Sequence, residues 1–189
     1  MRFVAGFVAG AIVGWMAHAY GPPGPRSVTA AAIQNTKETK IIATTGRTNL
    51  RLPIDGMSVE AMKGGFAEHR PGHEHEAADI LAPRDTAVHA VDDGTIAKLF
   101  FSKGGGGNTI YQFDPGGRIC YYYAHLERYA NGVRDGQAVS KGDVIGYVGT
   151  SGNAPPNTPH LHFAVYQLDE TRRWWKGQAI DPYLVFTAK

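Results

Sequence analysis

Apolar and polar positions alternate in short runs from about residue 50 to the end of the chain. Runs rich in Val, Ile, Tyr and Phe are separated by turn residues such as Asp-Gly and Lys-Gly, a pattern typical of β-strands joined by tight turns. The predicted strands cover residues 86–91, 95–101, 109–114, 118–124, 144–148 and 160–166. Short strands at this spacing predict an all-β domain whose antiparallel sheet forms a sandwich or barrel. In this part of the chain we expect one short helix, at residues 58–63.

The amino terminus has a different pattern. Residues 3–19 are apolar except for His18, and residues 3–25 contain no Asp, Glu, Lys or Arg. A membrane-spanning helix needs about 20 apolar residues. Arg2 at the start of this segment favours a cytoplasmic amino terminus with the rest of the chain exported.

This pattern predicts three parts along the chain. Residues 17–19, Ala-His-Ala, also resemble a signal-peptidase site. We therefore expect residues 1–20 to be a signal peptide or an uncleaved signal anchor, and we favour the anchor. Residues 21–48 are polar with early Gly and Pro residues, which indicates a linker, and residues 49–189 would form the domain.

Composition narrows the possible chemistry. The formal net charge is +2 and no arginine-rich stripe is present, so we expect no nucleic-acid partner. Cys120 is the single cysteine, which excludes an internal disulfide and a zinc site built mainly from Cys. The glycine run at residues 104–107 lacks the Gly-Lys-Ser/Thr ending of a phosphate loop, and it predicts a flexible hairpin loop on a groove wall.

Histidines and one aspartate carry the chemistry that the sequence suggests. His160 and His162 are two positions apart on a predicted strand, so both side chains should enter the same cleft. His75 and Asp79 begin and end a segment that differs at one position from the helical zinc motif His-Glu-x-x-His, because its last residue is Asp. Nearby Pro and Gly residues leave room for little more than two helical turns. We therefore expect an extended or turning segment that brings both side chains to one metal.

Five motifs then occur in a fixed order. They are His-Glu-x-x-Asp-Ile-x-Ala-Pro-Arg, Val-x-Ala-x-x-Asp-Gly, Tyr-Ala-His-Leu, Gly-Asp-Val-Ile-Gly-Tyr-Val-Gly-x-Ser-Gly-Asn and Pro-His-Leu-His-Phe. Together they resemble the M23 family of zinc metallopeptidases, the lysostaphin and LytM-type enzymes that cut peptide bonds in bacterial peptidoglycan. The resemblance covers about residues 50–186.

The resemblance implies roles for five residues and one bound Zn²⁺. His75 and Asp79 match the first two zinc ligands of the family, and His162 matches the third. His125 and His160 match its two catalytic histidines. Every position that activity needs carries the expected residue type.

Four positions depart from the family pattern. Ala77 and Asp85 stand where the family commonly has Gly, Ala78 stands where Ile is frequent, and Ala164 stands where relatives often have an acid. None of these changes removes a ligand. We expect them to affect rate and substrate fit, and the backbone near Ala77, because a methyl group there disfavours a positive φ.

The resemblance and the amino-terminal segment together predict a membrane-tethered zinc endopeptidase. Its partner would be peptidoglycan, cut in the peptide stems or crosslinks, and the domain would lie in the periplasm or extracytoplasmic space of the cell envelope. One alternative is a non-catalytic LytM-like regulator that activates another cell-wall hydrolase. Another is a protease that acts on an exported protein. The intact set of ligands and histidines favours an enzyme over a regulator.

Other residues receive more ordinary interpretations. A regular strand at 118–125 would place Tyr121, Tyr123 and His125 on one face with Cys120 on the other, so Cys120 is not expected to be a nucleophile. Trp174 and Trp175 are flanked by basic residues and predict a loop anchor that packs on the domain, with substrate or membrane contact as alternatives.

Three further histidines are not expected to bind the zinc. We interpret His69 and His73 as solvated loop residues, and a second metal site or the groove lining as the alternative. His89 lies in a predicted strand, where we expect it to pack or to face the surface.

Overall fold

The computed structural model describes residues 49–70 and 73–188, together with Thr36. Within residues 49–188 the described chain forms eleven strands, a 3₁₀ helix at Val59–Met62 and a carboxy-terminal helix, α1, at Pro182–Thr187. The strands are β1 His69–Arg70, β2 His73–Glu74, β3 Ala78–Leu81, β4 Ala87–His89, β5 Gly94–Ser102, β6 Gly107–Phe113, β7 Ile119–Tyr129, β8 Ala138–Val139, β9 Val144–Val148, β10 His160–Leu168 and β11 Gly177–Ile180.

Nine of these strands join one antiparallel sheet. Its main path runs β11-β10-β7-β6-β5-β8, while β3 pairs with β10 and β9 joins β4 to β7. Strands β1 and β2 form a separate two-stranded ribbon. The prediction of an all-β antiparallel domain is confirmed, and the strand path is an open sheet.

All six predicted strands are present, and the elements that the sequence did not reveal are short. Strands β1, β2 and β8 have two residues each, too few for a period-two pattern to be recognised. The predicted helix at residues 58–63 is a single 3₁₀ turn whose Ser58 hydroxyl accepts a hydrogen bond from the backbone N–H of Glu60. Helix α1 begins with an Asp-Pro pair that is a start signal in the sequence, because the Asp181 carboxylate accepts the N–H of Tyr183.

The hydrophobic core lies against one face of β7. Tyr121 and Tyr123 are fully buried there, and each phenol has a partner. The Tyr123 hydroxyl donates to Oε1 of Gln112 at 2.7 Å and accepts from the backbone N–H of Val91. The Tyr121 hydroxyl lies 3.2 Å from a carboxylate oxygen of Asp92. Two of the three consecutive tyrosines therefore pack the sheet, and buried phenols with partners avoid the cost of unsatisfied polar groups.

Strand β7 contains a bulge that turns one side chain to the other face of the sheet. In the pairing with β6, Tyr123 faces Ile110 and Leu126 faces Asn108, so two β7 residues lie opposite one residue of β6. The second of these, His125, has a φ of 58°. The prediction that His125 shares a face with Tyr121 and Tyr123 is wrong, because this left-handed residue interrupts the alternation.

The expected signal anchor at residues 1–20 and the linker at residues 21–48 fall, apart from Thr36, outside the described residues. Within the described ranges, no helix is both long enough and apolar enough to cross a membrane. The three-part division of the chain stays a prediction.

Candidate functional site

Three predicted ligand side chains converge at one point. His75 Nε2 lies 3.1 Å from Asp79 Oδ1 and 3.1 Å from His162 Nδ1, and the last two atoms are 3.0 Å apart. The β3–β10 pairing sets Asp79 directly opposite His162, while His75 enters from the loop that follows β2. Asp79 and His162, 83 positions apart in sequence, thus meet because two strands pair.

This donor set fits zinc. Zn²⁺ binds imidazole nitrogen and carboxylate oxygen at about 2.0–2.2 Å in a tetrahedral arrangement, in which neighbouring ligand atoms lie about 3.4 Å apart. The three atoms form a nearly equilateral triangle with slightly shorter edges. In the described parts of the chain, this is the one group of three or more His, Cys, Asp or Glu side chains close enough together to hold a metal.

Neighbouring groups orient two of these side chains. The Nδ1–H of His75 donates to the backbone oxygen of Gly65 at 3.0 Å, which leaves the Nε2 lone pair directed at the triangle. Arg70 donates to the second oxygen of Asp79 at 2.6 Å and also contacts Glu68. No sequence pattern predicts this role for Arg70, because its contact with Asp79 depends on how the β1–β2 ribbon packs.

The charge of Asp79 follows from these contacts. Burial alone would raise the pKa of its carboxyl group. Hydrogen bonds from the two histidines and from Arg70 outweigh that effect and hold the pKa well below its usual range. The carboxylate is therefore ionised at neutral pH, as a metal ligand must be.

A second pair of histidines lies beside the triangle. The rings of His125 and His160 are 4.9 Å apart, and Nε2 of His160 is 3.8 Å from Asp79 Oδ1. Each ring donates its Nδ1–H to a backbone oxygen, that of Ser151 at 2.9 Å and that of Thr158 at 2.8 Å. Both Nε2 atoms are thereby left as acceptors when the rings are neutral.

His125 is held as a neutral base. Burial is the main cause that lowers its pKa, to about 4, and the nearby His162 and His160 contribute in the same direction. The hydrogen bond to Ser151 opposes the shift without cancelling it. At neutral pH the His125 ring can therefore accept a proton.

The glycine-rich hairpin loop fixes the backbone of His125. The N–H of His125 donates to the oxygen of Gly106 at 2.7 Å. A Cβ added to Gly106 would collide with the Tyr122 hydroxyl and would lie 2.8 Å from Thr109 Cγ2, so this position has no room for a side chain. The predicted hairpin loop is present between β5 and β6, and it forms a wall of the site.

Tyrosines extend this side of the sheet away from the histidines. The ring of Tyr122 meets that of His162 edge-on at 5.9 Å and lies 4.7 Å from the ring of Tyr111. Burial raises the pKa of the Tyr122 phenol well above its usual range, so it stays protonated. Of the three consecutive tyrosines, Tyr122 is the one that faces the site.

The remaining candidates lie away from this centre. His69 is exposed on β1, and His89 is buried and donates from Nδ1 to the oxygen of Gly142. Cys120 is fully buried, and burial raises the pKa of its thiol far above the usual range. A buried neutral thiol is a poor nucleophile, as predicted. The structure does not describe the side chain of His73.

Comparison with known proteins identifies the family. The protein-family model described as peptidase family M23 matches residues 73–182, which are more than half of the chain. The chain belongs to peptidase family M23. The resemblance stated from the motifs is confirmed, and the matched region contains the three ligands and both neighbouring histidines.

Curated M23 relatives share part of their length with this chain. It is 36% identical to the L-Ala--D-Glu endopeptidase of Bacillus subtilis (strain 168) over 115 residues, which are 58% of this chain and 33% of that protein. It is 34% identical to the glycyl-glycine endopeptidase ALE-1 of Staphylococcus capitis over 92 residues, 49% of this chain and 24% of that protein. The chain thus spans a third or less of the length of these relatives.

Solved M23 structures have a similar fold. Csd3 of Helicobacter pylori matches with a TM-score of 0.56 and 25% identity, covering 75% of this chain and 34% of that one. The catalytic domain of lysostaphin from Staphylococcus simulans matches with a TM-score of 0.52 and 25% identity, covering 76% and 93%. The described domain therefore has the architecture of an M23 catalytic domain.

Two departures from the M23 pattern have a backbone explanation. Asp85 has a φ of 67°, the left-handed conformation for which the family commonly uses Gly. Near the predicted metal ligands, the positive φ of 52° belongs to Glu76, and Ala77 is a buried residue outside the left-handed region. The methyl group of Ala77 therefore fits without the strain that a positive φ would bring.

Proposed function

We propose that this chain is a zinc-dependent endopeptidase that hydrolyses peptide bonds in bacterial peptidoglycan, in its stems or crosslinks. The observation that carries the proposal is the pairing of a complete ligand triangle with two separately held histidines whose acceptor nitrogens are free. A structural metal site would need the triangle alone. The similarity to known peptidases, among them the peptidoglycan DD-endopeptidase ShyC of Vibrio cholerae, supports the substrate class.

One Zn²⁺ would be held by His75 Nε2, Asp79 Oδ1 and His162 Nδ1. When bound, it would supply Lewis acidity that polarises the scissile carbonyl and lowers the pKa of water. Two neutral imidazoles and one carboxylate leave such a site with a net positive charge. Arg70 adds to that charge, and Asp79 would be the one anionic ligand in the triangle.

The two remaining histidines would move the protons. One Nε2 accepts a proton from the attacking water, and the other imidazole, in its protonated form, gives a proton to the departing amine nitrogen. Burial lowers the pKa of His125 and keeps its ring neutral at neutral pH, so its Nε2 is available as an acceptor. His160 lies closer to the ligand triangle through its 3.8 Å approach to Asp79. Acid–base assistance of this kind is worth about 10²- to 10⁴-fold in rate.

The same proposal includes a location. The apolar segment at residues 3–19, with Arg2 before it, would anchor the chain in the inner membrane and place the domain on the outer side, where peptidoglycan lies. A protease added to intact spheroplasts should then digest the domain, while the chain stays in the membrane fraction after high-salt washing. Protection of the domain from the protease would contradict this placement.

The decisive experiment measures metal and product together. The full chain is purified in detergent, and its zinc content is determined by elemental mass spectrometry. Fragments that it releases from purified peptidoglycan sacculi are identified by their mass. We expect about one zinc per chain and peptide fragments with new amino termini. The exposed-histidine variant His69→Ala is the control. Stoichiometric zinc without fragments from any crosslink type would favour the regulator of another hydrolase.

A further inference from the structure

An aromatic cleft lies on the same side of the sheet as the ligand triangle. Its walls are Tyr111 of β6, Tyr166 of β10, and the loop between β10 and β11, and it encloses about 170 Å³. The lining residues are Tyr111, Tyr166, Trp174, Trp175, Lys176 and Gly177. A cavity of about 150 Å³ holds one six-membered ring, so this cleft has room for one ring-sized group.

Tyr122 connects the cleft to the proposed catalytic site. The ring of Tyr122 contacts His162 at 5.9 Å on one side and the cleft residues Tyr111 at 4.7 Å and Tyr166 at 6.4 Å on the other. Trp174 then packs on Tyr111 at 4.6 Å. An extended peptide spans about 3.3 to 3.6 Å per residue, so at most about four or five residues would lie along the path of rings from His162 through Tyr122 and Tyr111 to Trp174.

The loop that closes the cleft is already ordered. Asp169 and Lys176 form an ion pair of 2.9 Å across its ends, and backbone hydrogen bonds from Arg172 to Asp169 and from Lys176 to Arg173 form two turns. Trp174 is anchored on the sheet, as the sequence predicted for a loop anchor. A binding surface that is formed in advance costs little conformational entropy when a ligand binds.

Trp175 differs from Trp174 because its ring is left to solvent. The side chain is 61% exposed, although it contacts Trp174 at 5.1 Å and lies beneath the guanidinium of Arg173. Packing of the domain therefore does not require this ring. An exposed tryptophan at the edge of an aromatic cleft is the arrangement expected where a ligand supplies the missing contact.

We propose that this cleft is a subsite for one amino-sugar ring of a glycan strand, and the proposal rests on peptidoglycan being the substrate. The C–H faces of a pyranose pack on aromatic rings, and its hydroxyl and acetamide groups can hydrogen-bond to the side chain of Lys176, which lines the cleft. A small aliphatic or acidic peptide side chain would contact one wall and leave the facing ring without a partner.

The spacing gives the subsite a consequence for specificity. Peptidoglycan peptides are joined to the glycan through their amino-terminal ends. A sugar in the cleft would therefore place the first four or so peptide residues along Tyr122 toward the histidines. The chain should prefer a peptide that still carries its sugar over the same peptide without it.

The cleavage experiment compares sugar-bearing crosslinked muropeptides with the same peptides after an amidase has removed the sugar. The full chain should show a kcat/KM about tenfold higher for the sugar-bearing form. Trp175→Ala should bring this ratio close to one and leave cleavage of the sugar-free peptide unchanged. Trp175→Phe should keep part of the preference. Phe101→Ala, which removes another aromatic side chain (58% exposed) outside the cleft, should behave like the wild type.

A binding experiment separates this proposal from the proposed function. Titration calorimetry with peptide-free glycan oligomers should show saturable binding to the full chain, weakened about tenfold by Trp175→Ala. Glycan binding without any peptide cleavage would overturn the proposed function and leave the subsite standing. Equal cleavage with and without sugar, together with no glycan binding, would overturn the subsite alone.

A third arm tests the membrane as an occupant of the same surface. Vesicles of phosphatidylglycerol with brominated acyl chains quench tryptophans that enter the lipid. If Trp175→Ala loses quenching relative to the wild type and the glycan does not bind, the surface is a membrane contact and the sugar subsite is overturned. We expect equal quenching in both proteins.

Discussion

The two groups of histidines in the site are held in different ways. The ligand triangle brings side-chain atoms within 3.1 Å of one another, from a loop and two paired strands. The neighbouring pair, His125 and His160, keeps its rings 4.9 Å apart, and backbone carbonyl groups rather than side chains orient them. In the proposed roles, metal binding and proton transfer use different side chains, so each should be removable without the other.

The largest effect is expected from the triangle. His162→Ala removes one of three ligand atoms and leaves His75 and Asp79, too few to hold a zinc ion tightly. Zinc content should fall well below one per chain, and release of peptidoglycan fragments should become undetectable. Circular dichroism should retain the β-sheet signal, since His162 is a groove residue. A variant that keeps stoichiometric zinc would show that the triangle is not the metal site.

The second-largest effect is expected from the neighbouring pair, His125 and His160. His160→Ala should keep stoichiometric zinc, because its ring is outside the triangle, while cleavage falls about 10²- to 10⁴-fold. Elemental analysis and fragment release from the same preparation measure both quantities. Zinc loss equal to that of His162→Ala would remove the distinction between the two groups.

A smaller effect should follow when the support of the pair is disturbed. Gly106→Ala forces a methyl group against the Tyr122 hydroxyl and shifts the carbonyl group that holds His125, so we expect a loss of about 1–3 kcal/mol in stability and a clear fall in rate with zinc retained. Thermal unfolding and cleavage assays test this. Gly104→Ala is the matched control, because no atom lies within 4 Å of its added Cβ. Equal loss in both variants would point to the flexibility of the loop instead.

The smallest effect concerns the buried cysteine, Cys120. Burial raises the pKa of Cys120, so its thiol should resist iodoacetamide at pH 8 in the folded chain and react after denaturation. Intact-mass measurement detects the adduct. Cleavage should be unchanged by this treatment. Rapid alkylation of the folded protein together with loss of cleavage would contradict this prediction and show that the Cys120 thiol is accessible and needed for activity.

Parts of the fold and site follow from local pattern. The alternation of apolar residues located six strands, and β9 at Val144–Val148 matches its prediction at both ends. The period of two also placed His160 and His162 on one face, and the structure confirms that both enter the same groove. Short strands such as β3 were not predicted, because four residues buried against a neighbouring strand carry too little periodicity to be recognised.

The face of β7 shows where local pattern fails. Alternation assigned His125 to the side of Tyr123, whereas the bulge turns it toward His160. A bulge depends on what the neighbouring strand offers, here the pairing with β6 and the carbonyl of Gly106. The residue type at position 125 does not predict the bulge, since a positive φ is uncommon in non-glycine residues even though His adopts it more often than most.

The sequence by itself determined which chemical groups are present, their order along the chain and the strand period that unites His160 with His162. It also determined the family, since the motifs are local strings of residues. Tertiary structure alone decided that His75 and His162 meet, that Arg70 reaches Asp79, and that Tyr122 faces the groove. The physical reason is that these contacts join residues distant in sequence, and strand pairing, not local propensity, sets their distances.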